Sequence, residues 1–321
     1  MRPRLKCKNN KKNYVTTSPK ITIMGTGSSS SSGGDIIAAK IDHAQKTGVL
    51  NLTKQDIKCN SQIWNTIGSP ELSPKIKVLD LSSNPLKSLP AHILTLEHMK
   101  SCHLSRCNLQ RTPNLASLIE LKKMDLDNND LEETTIGPLP TTLIKLNLSF
   151  NHIVVIPGIL STLINLEELD LSNNRLQNVD VIGSLVRLVL LNLDDNQLVE
   201  LPLSFGCLNK LKKLSIKKNL LIPKAPSRGT QSIPEVLFTE TPVETIELHG
   251  NNYLPKAEVM AFAGTSTSFV DLIRFIFSSQ TVISNSSSSI GVDVFLERRR
   301  KSKEKSFQGG AMTDFSLFGL D

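Results

Sequence analysis

An eleven-residue pattern, Leu-x-x-Leu-x-Leu-x-x-Asn-x-Leu, returns along this chain at a nearly fixed interval, and an interval of that size dictates a stacked architecture. Copies begin at Thr47, Ile76, Met99, Leu121, Leu143, Leu166, Leu188, Leu211 and Val243, so the six central steps are 22 or 23 residues and the two outer ones 29 and 32. Helices and strands have amphipathic periods of 3.6 and 2 residues, and neither generates a register of this length. A unit this short cannot bury its apolar face alone. Its core exists only where neighbours stack.

The best copies run from Ile76 through Leu79, Leu81 and Asn84 to Leu86, and from Leu166 through Leu169, Leu171 and Asn174 to Leu176. They carry the signature of a leucine-rich repeat. The expected fold class is therefore an α/β repeat: a leucine-rich repeat solenoid with a parallel concave sheet of about nine strands and short convex 3₁₀ or irregular turns. In each Leu-x-Leu core alternate residues point inward and outward, which assigns pairs such as Leu79/Leu81, Cys102/Leu104, Met124/Leu126 and Leu214/Ile216 to the interior.

Asparagine closes the pattern at Asn84, Asn129, Asn151, Asn174, Asn196, Asn219 and Asn251, with Cys107 and Gln55 in its place in two units. There the chain leaves the strand and strands backbone groups without ladder partners. A buried carboxamide, with two donated hydrogens and an acceptor oxygen, serves those groups from one repeat to the next, so the ladder reads as structural. Prolines at Pro90, Pro157 and Pro202 follow, where no strand continues, so the convex side is expected to lack long helices.

The ends differ from the array. Residues 1–34 read as a disordered basic and Gly/Ser-rich tail, and 35–47 as a helix that caps the first repeat, with Asp35 as N-cap, Ile37, Ile41 and Ala44 on one face and Gly48 as the stop. The solenoid with its C-terminal cap, a helix over Lys256 to Ala263, is assigned to 47–263. Residues 264–321 read as a low-complexity insert and a tail carrying the basic run Arg298 to Lys305.

A formal charge of +7 points to nucleic acid until it is located. Residues 1–23 hold Arg2, Arg4, Lys6, Lys8, Lys11, Lys12 and Lys20 and no acid, which leaves 30 basic against 30 acidic side chains in the rest. The repeats therefore offer no overall basic field, and nucleic acid is not the expected partner. Five cysteines show no paired clusters, consistent with a reducing compartment and a cytoplasmic location. Cys102 and Cys107 have places in the repeat core, and with His103 pointing the other way they do not converge on a metal. The chain has no phosphate-binding glycine loop, nucleophile elbow or His-Glu-x-x-His motif, so the reading is of a non-enzyme without cofactor.

A long exposed inner sheet suits the grip of another macromolecule, so the expected function is an intracellular protein-interaction scaffold or adaptor, with a role in signalling. The positions departing from the repeat consensus are the candidate contacts on the concave face: Arg106, Phe150, Asp194, Asp195, Lys213, Lys217 and Lys218. The alternative is binding of nucleic acid or a membrane surface through the basic tails. Met24-Gly25-Thr-Gly-Ser-Ser29 has the form of an N-myristoylation signal for a start at Met24, which makes Gly25 the candidate lipidated residue and membrane association a second expectation.

The segment Ala44-Gln-Lys-Thr-Gly-Val49 followed by Leu50-x-Leu52, the Met-Gly pair at Met24, and the ending Gly291-Val-Asp-Val-Phe-Leu-Glu-Arg298 resemble the leucine-rich repeat-containing protein 57 family. The likeness runs from about Met24 to Lys301. It implies a small cytosolic, lipid-anchored, non-enzymatic repeat protein.

Overall fold

The computed structural model describes residues 31–221, 233–234, 236–248, 250–251 and 293–295. Gly25, the expected helix at Lys256 to Ala263, the insert at 264–290 and the basic run at Arg298 to Lys305 lie outside them.

Nine strands of three residues each stack in chain order: β1 Val49–Asn51, β2 Val78–Asp80, β3 Ser101–His103, β4 Lys123–Asp125, β5 Lys145–Asn147, β6 Glu168–Asp170, β7 Leu190–Asn192, β8 Lys213–Ser215 and β9 Thr245–Glu247. Every neighbouring pair is parallel. The middle residue of each strand faces the interior, so Leu50, Leu79, Cys102, Met124, Leu146, Leu169, Leu191, Leu214 and Ile246 form one buried file through the molecule. The chain folds as a leucine-rich repeat solenoid.

The sheet has a tenth strand that the repeat pattern does not announce. Asp293–Phe295 (β10) pairs antiparallel with β9, opposite Glu247, Ile246 and Thr245. It covers the edge that the ninth parallel strand would otherwise leave with unpaired amides and carbonyls. At the other end α1, Ser31–Thr47, lies over β1 and inserts Ile41 and Ala44 into the core, with Ile37 packed against it. Gly48 at φ +75° ends the helix, its N–H donating to the Ala44 carbonyl at 2.8 Å. The helix starts four residues ahead of the expected cap, so Asp35 is inside it: the poor propensity of Gly33 and Gly34 does not halt the helix.

On the convex side, 3₁₀ turns at Ala91–Thr95, Gly158–Thr162 and Leu203–Cys207 each follow directly on Pro90, Pro157 and Pro202. Proline fixes φ there and has no N–H to leave unpaired at the start of the turn. The longer step between the first two repeats is filled by α2, Ile63–Ile67, which buries Trp64, the chain's single tryptophan; its indole N–H donates to the Lys58 carbonyl at 2.9 Å.

The turns out of the strands are held by the asparagines. Asn174 Nδ2 donates to the Leu148 carbonyl of the preceding repeat and to the Leu171 carbonyl of its own, both at 3.0 Å, while its Oδ1 accepts the Ile153 N–H at 3.1 Å. Asn84, Asn129, Asn151, Asn196, Asn219 and Asn251 repeat this bridge. Cys107 reproduces half of it. Its Sγ reaches the Leu81 carbonyl at 3.2 Å, but a thiol cannot supply the carboxamide oxygen, and Leu86 N–H donates instead to the Cys107 main-chain carbonyl at 3.0 Å.

The residue before each ladder position adopts left-handed backbone. Lys54, Ser83, Arg106, Asn128, Phe150, Asn173, Asp195, Lys218 and Gly250 all have φ between 49° and 77°. This conformation turns the chain out of the strand and aims the following side chain inward. It costs an L-residue roughly 1 to 2 kcal/mol, less for asparagine and aspartate and nothing for glycine.

Replacing Asn174 with alanine removes four buried hydrogen bonds that serve two repeats. A loss of about 1 to 3 kcal/mol is expected, read as a lower urea midpoint at unchanged denaturant slope. An unaltered midpoint would show that the ladder does not hold the turns.

Candidate functional site

Each strand presents its first and third residues on the inner surface of the sheet, because the second points into the core. The third residues form a polar file in which the acids Asp80, Asp125 and Asp170 alternate with His103, Asn147 and Asn192, and Ser215 and Glu247 follow. From β3 to β9 the surface curves around a groove of about 530 Å³. Lys123, Lys145, Lys213 and Lys217 border it, Asp125, Glu168, Asp170, Asp194 and Glu247 face them, and Leu190, 38% exposed, gives the floor an apolar spot.

The C-terminal end of the groove is a closed charge network. Lys213 Nζ lies 2.6 Å from Glu247 Oε1, and Lys217 Nζ lies 2.7 Å from Glu247 Oε2 and 3.2 Å from Asp194 Oδ2. Ser215 Oγ sits 2.6 Å from Asp194 and 3.1 Å from Glu247. Burial alone would raise the Glu247 carboxyl, but hydrogen bonds from Lys213, Lys217 and Ser215 outweigh it and hold the group down at about 2. Burial also works against the charge on Lys217, and Glu247 and Asp194 reverse that and push its pKa up.

The seven residues that stand out in the sequence fall into two places. Asp194, Lys213 and Lys217 line the groove. Arg106, Phe150, Asp195 and Lys218 do not: they are members of the left-handed file at the rim, where the strand's in-and-out alternation has already ended. Lys218 pairs with Asp195 at 3.5 Å. Phe150 is half exposed in a backbone conformation that bulky side chains avoid.

Sequence reading also passed over a set of lysines. Lys77, Lys100 and Lys122 follow the first residue of three successive repeats, and Lys123 comes next to the last of them. The backbone links them, Lys100 N–H donating to the Lys77 carbonyl at 2.7 Å and Lys122 N–H to the Lys100 carbonyl at 2.9 Å. Writing the repeats one beneath another would have shown this file, which no run of adjacent letters reveals.

Midway along the face, Ser101 Oγ lies 3.0 Å from His103 Nε2, and His103 Nδ1 lies 3.7 Å from Asp125 Oδ2. Serine, histidine and aspartate in that order invite comparison with an acyl-transfer site. Such a site needs free N–H donors for the oxyanion, whereas parallel partners on both sides commit the amides of β3 to the ladder. The contact with Asp125 does raise the histidine's pKa, against the effect of burial. Among the described residues no group of three or more His, Cys, Asp or Glu side chains converges as a metal site. Cys102 and Cys107 are buried thiols, burial pushing Cys102 far up and Cys107 to about 11, so neither is a ready nucleophile. No helix among the described residues is long and apolar enough to cross a membrane.

A comparison of the sequence with family models finds the repeat over part of the chain. The family model described as Leucine Rich repeats (2 copies) matches residues 141–184, the stretch from the end of the fourth repeat to the turn after the sixth strand. The chain is similar to human Toll-like receptor 1, at 30% identity over 121 residues, which are 37% of this chain and 15% of the receptor. Among solved structures it is similar to a leucine-rich repeat protein of Leptospira interrogans, at 25% identity and a TM-score of 0.46, over 61% of this chain and 55% of that one. The chain thus spans a small part of the receptor and about half of the bacterial protein. The fold is a leucine-rich repeat solenoid, the family model matches two of its repeats, and domains of this fold generally mediate contacts between proteins.

The Glu247 network gives the stability a defined acid limb. A carboxyl held at about 2 in the folded state and near 4.5 when unfolded contributes its full stabilisation above pH 4.5 and loses it as the pH falls from about 4.5 to about 2. Glu247→Gln is expected to lower stability at pH 7 by on the order of 1 to 3 kcal/mol and to flatten the acid limb across that window. Chemical denaturation at a series of pH values measures both effects.

Proposed function

We propose that this protein is an intracellular interaction module that grips another protein across its concave face, and that it serves as a scaffold or adaptor in signalling. The observation that carries the reading is the groove itself, with Leu190 exposed on its floor inside a ring of charged side chains. An apolar centre within a polar rim is the usual anatomy of a protein interface. Because the sheet amides are paired, recognition there falls to side chains.

Phe150 and Arg106 extend the surface over the rim, and both are residue types that concentrate binding energy. Phenylalanine at the left-handed position sacrifices stability that asparagine would retain, which supports a role outside folding. Asp194, Lys213 and Lys217 shape the C-terminal end as a rigid, neutralised wall, with Asp195 and Lys218 paired beside it.

A photo-crosslinking residue at Leu190 is expected to capture a partner protein in cells, while the same residue at Leu203, exposed on the convex side, captures it weakly or not at all. Phe150→Asn should raise stability by about 0.5 to 1 kcal/mol and reduce the capture. Crosslinks arising only from Leu203 would move the site to the convex side and refute the reading.

The cytoplasmic placement includes a lipid anchor, carried by the likeness to the leucine-rich repeat-containing protein 57 family and by the string beginning at Met24. Gly25 takes a myristoyl chain, and the basic run from Arg298 to Lys305 adds attraction to anionic lipid, because one such chain alone binds a bilayer only marginally. Gly25→Ala is expected to shift the protein from the membrane fraction to the cytosol. An intact mass that begins at Met1 without a lipid adduct would refute the anchor.

A further inference from the structure

We propose that the lysine file at the N-terminal half of the sheet is the docking site for an acidic amphipathic helix of a partner protein, laid along the solenoid axis across Lys77, Lys100 and Lys122. The inference rests on the reading of the concave face as a protein-binding surface and names the partner's chemistry.

The first ground is the distribution of unpaired charge. Lys145, Lys212, Lys213, Lys217 and Lys218, all in the C-terminal half, each have a carboxylate partner. Among the described residues none lies within ion-pair distance of Lys77, Lys100, Lys122 or Lys123. Glu120, engaged by His98 at 2.8 Å, also feels Lys100 and Lys77, whose charges help to lower its pKa, but it forms an ion pair with neither lysine. Like charges in register on neighbouring strands repel, so this file is a standing electrostatic cost that an incoming anion relieves. Although the repeats as a whole carry no net basic field, these lysines stand side by side in neighbouring repeats.

The second ground is spacing. Hydrogen bonds from each lysine's backbone to the next fix the file at the interstrand distance, about 4.8 Å. Acids at i, i+3 or i+4, and i+7 on a helix advance by about 4.5 to 6 Å per step, close to that interval. Alternate residues of an extended strand advance by about 6.6 to 6.8 Å and fall out of step by the third lysine.

The third ground is the apolar border. Ile119, 68% exposed, flanks the file on one side, and Val49 and Val78, paired in register on β1 and β2, flank it on the other, with Val49 39% exposed. An amphipathic helix brings aliphatic side chains beside its acids and covers both borders. A phosphate backbone has no apolar groups to place there.

A fluorescent, hydrocarbon-stapled helical peptide with glutamates at i, i+4, i+7 and i+11 and leucines beside them is the probe, read by anisotropy against the full chain. It is expected to bind, to weaken as salt rises from about 0.05 to about 0.5 M, and to lose about tenfold or more in affinity to the triple variant K77Q, K100Q, K122Q. A triple variant of equal charge change at exposed lysines elsewhere, K46Q, K58Q, K210Q, should bind as the parent does. These six side chains are exposed, so circular dichroism should be unchanged in both. Failure of the peptide to bind, or equal loss in the two triple variants, would overturn the proposal. So would a single-stranded DNA oligonucleotide that binds the file more tightly than the peptide, which would reassign it to phosphate. Crosslinking from Leu190 that survives in the lysine variant while the peptide fails to bind would leave the interaction module standing and remove only the acidic helix.

Discussion

A primary carboxamide carries two N–H donors and one carbonyl oxygen, and this molecule uses all of them at each asparagine of the ladder. Each asparagine ties the carbonyl that closes its own strand to the carbonyl that closed the previous one, and accepts an N–H from the turn between. The strands are three residues long, too short for pairing alone to hold the register. The ladder sets that register, the register lines up the middle residues into one apolar file, and the file makes nine marginal units a single body. What the inner surface can bind follows from the same alignment, since any residue type recurring at one place in the pattern becomes a column in space.

That dependence explains what was legible in the sequence. Leucines and asparagines could be read because each has one chemical job and a buried place in which to do it. The backbone of the residue before the ladder was not legible: Ser83, Arg106, Asn128, Phe150 and Lys218 share no side-chain property, yet all adopt positive φ. Hence Arg106 and Phe150, read as inner-face residues, belong to this file and are not among the residues that line the groove. Lys213, Lys217 and Lys218 stand out from the repeat consensus in the letters alone, whereas Glu247, which neutralises Lys213 and Lys217, lies 30 residues beyond Lys217. Lys77, Lys100 and Lys122, solitary in the sequence, are neighbours in the fold.

The two halves of the inner face therefore differ in kind. Toward β9, lysines and carboxylates meet within the protein, and the surface is rigid and internally compensated. Toward β1, Lys77, Lys100 and Lys122 stand in register along the border of that face, just before β2, β3 and β4, without ion-pair partners, and the aliphatic side chains beside them remain in water. A partner gains little by competing for a neutralised pair, because it must first break what is already made. It gains more by answering charges that repel one another.

A stack of identical units is, in polymer terms, a chain that could go on growing: the last parallel strand offers the same edge to a tenth repeat, or to the first strand of another copy, that each earlier strand offered to its successor. Here both growing ends are stopped. One is covered by α1, and at the other β10 runs the opposite way, so the next position along the sheet no longer repeats the parallel template. The strand that ends the series comes from 46 residues beyond Glu247, not from the next turn of the repeat. The number of units is thereby a property of the ends, and the motif by itself encodes no length.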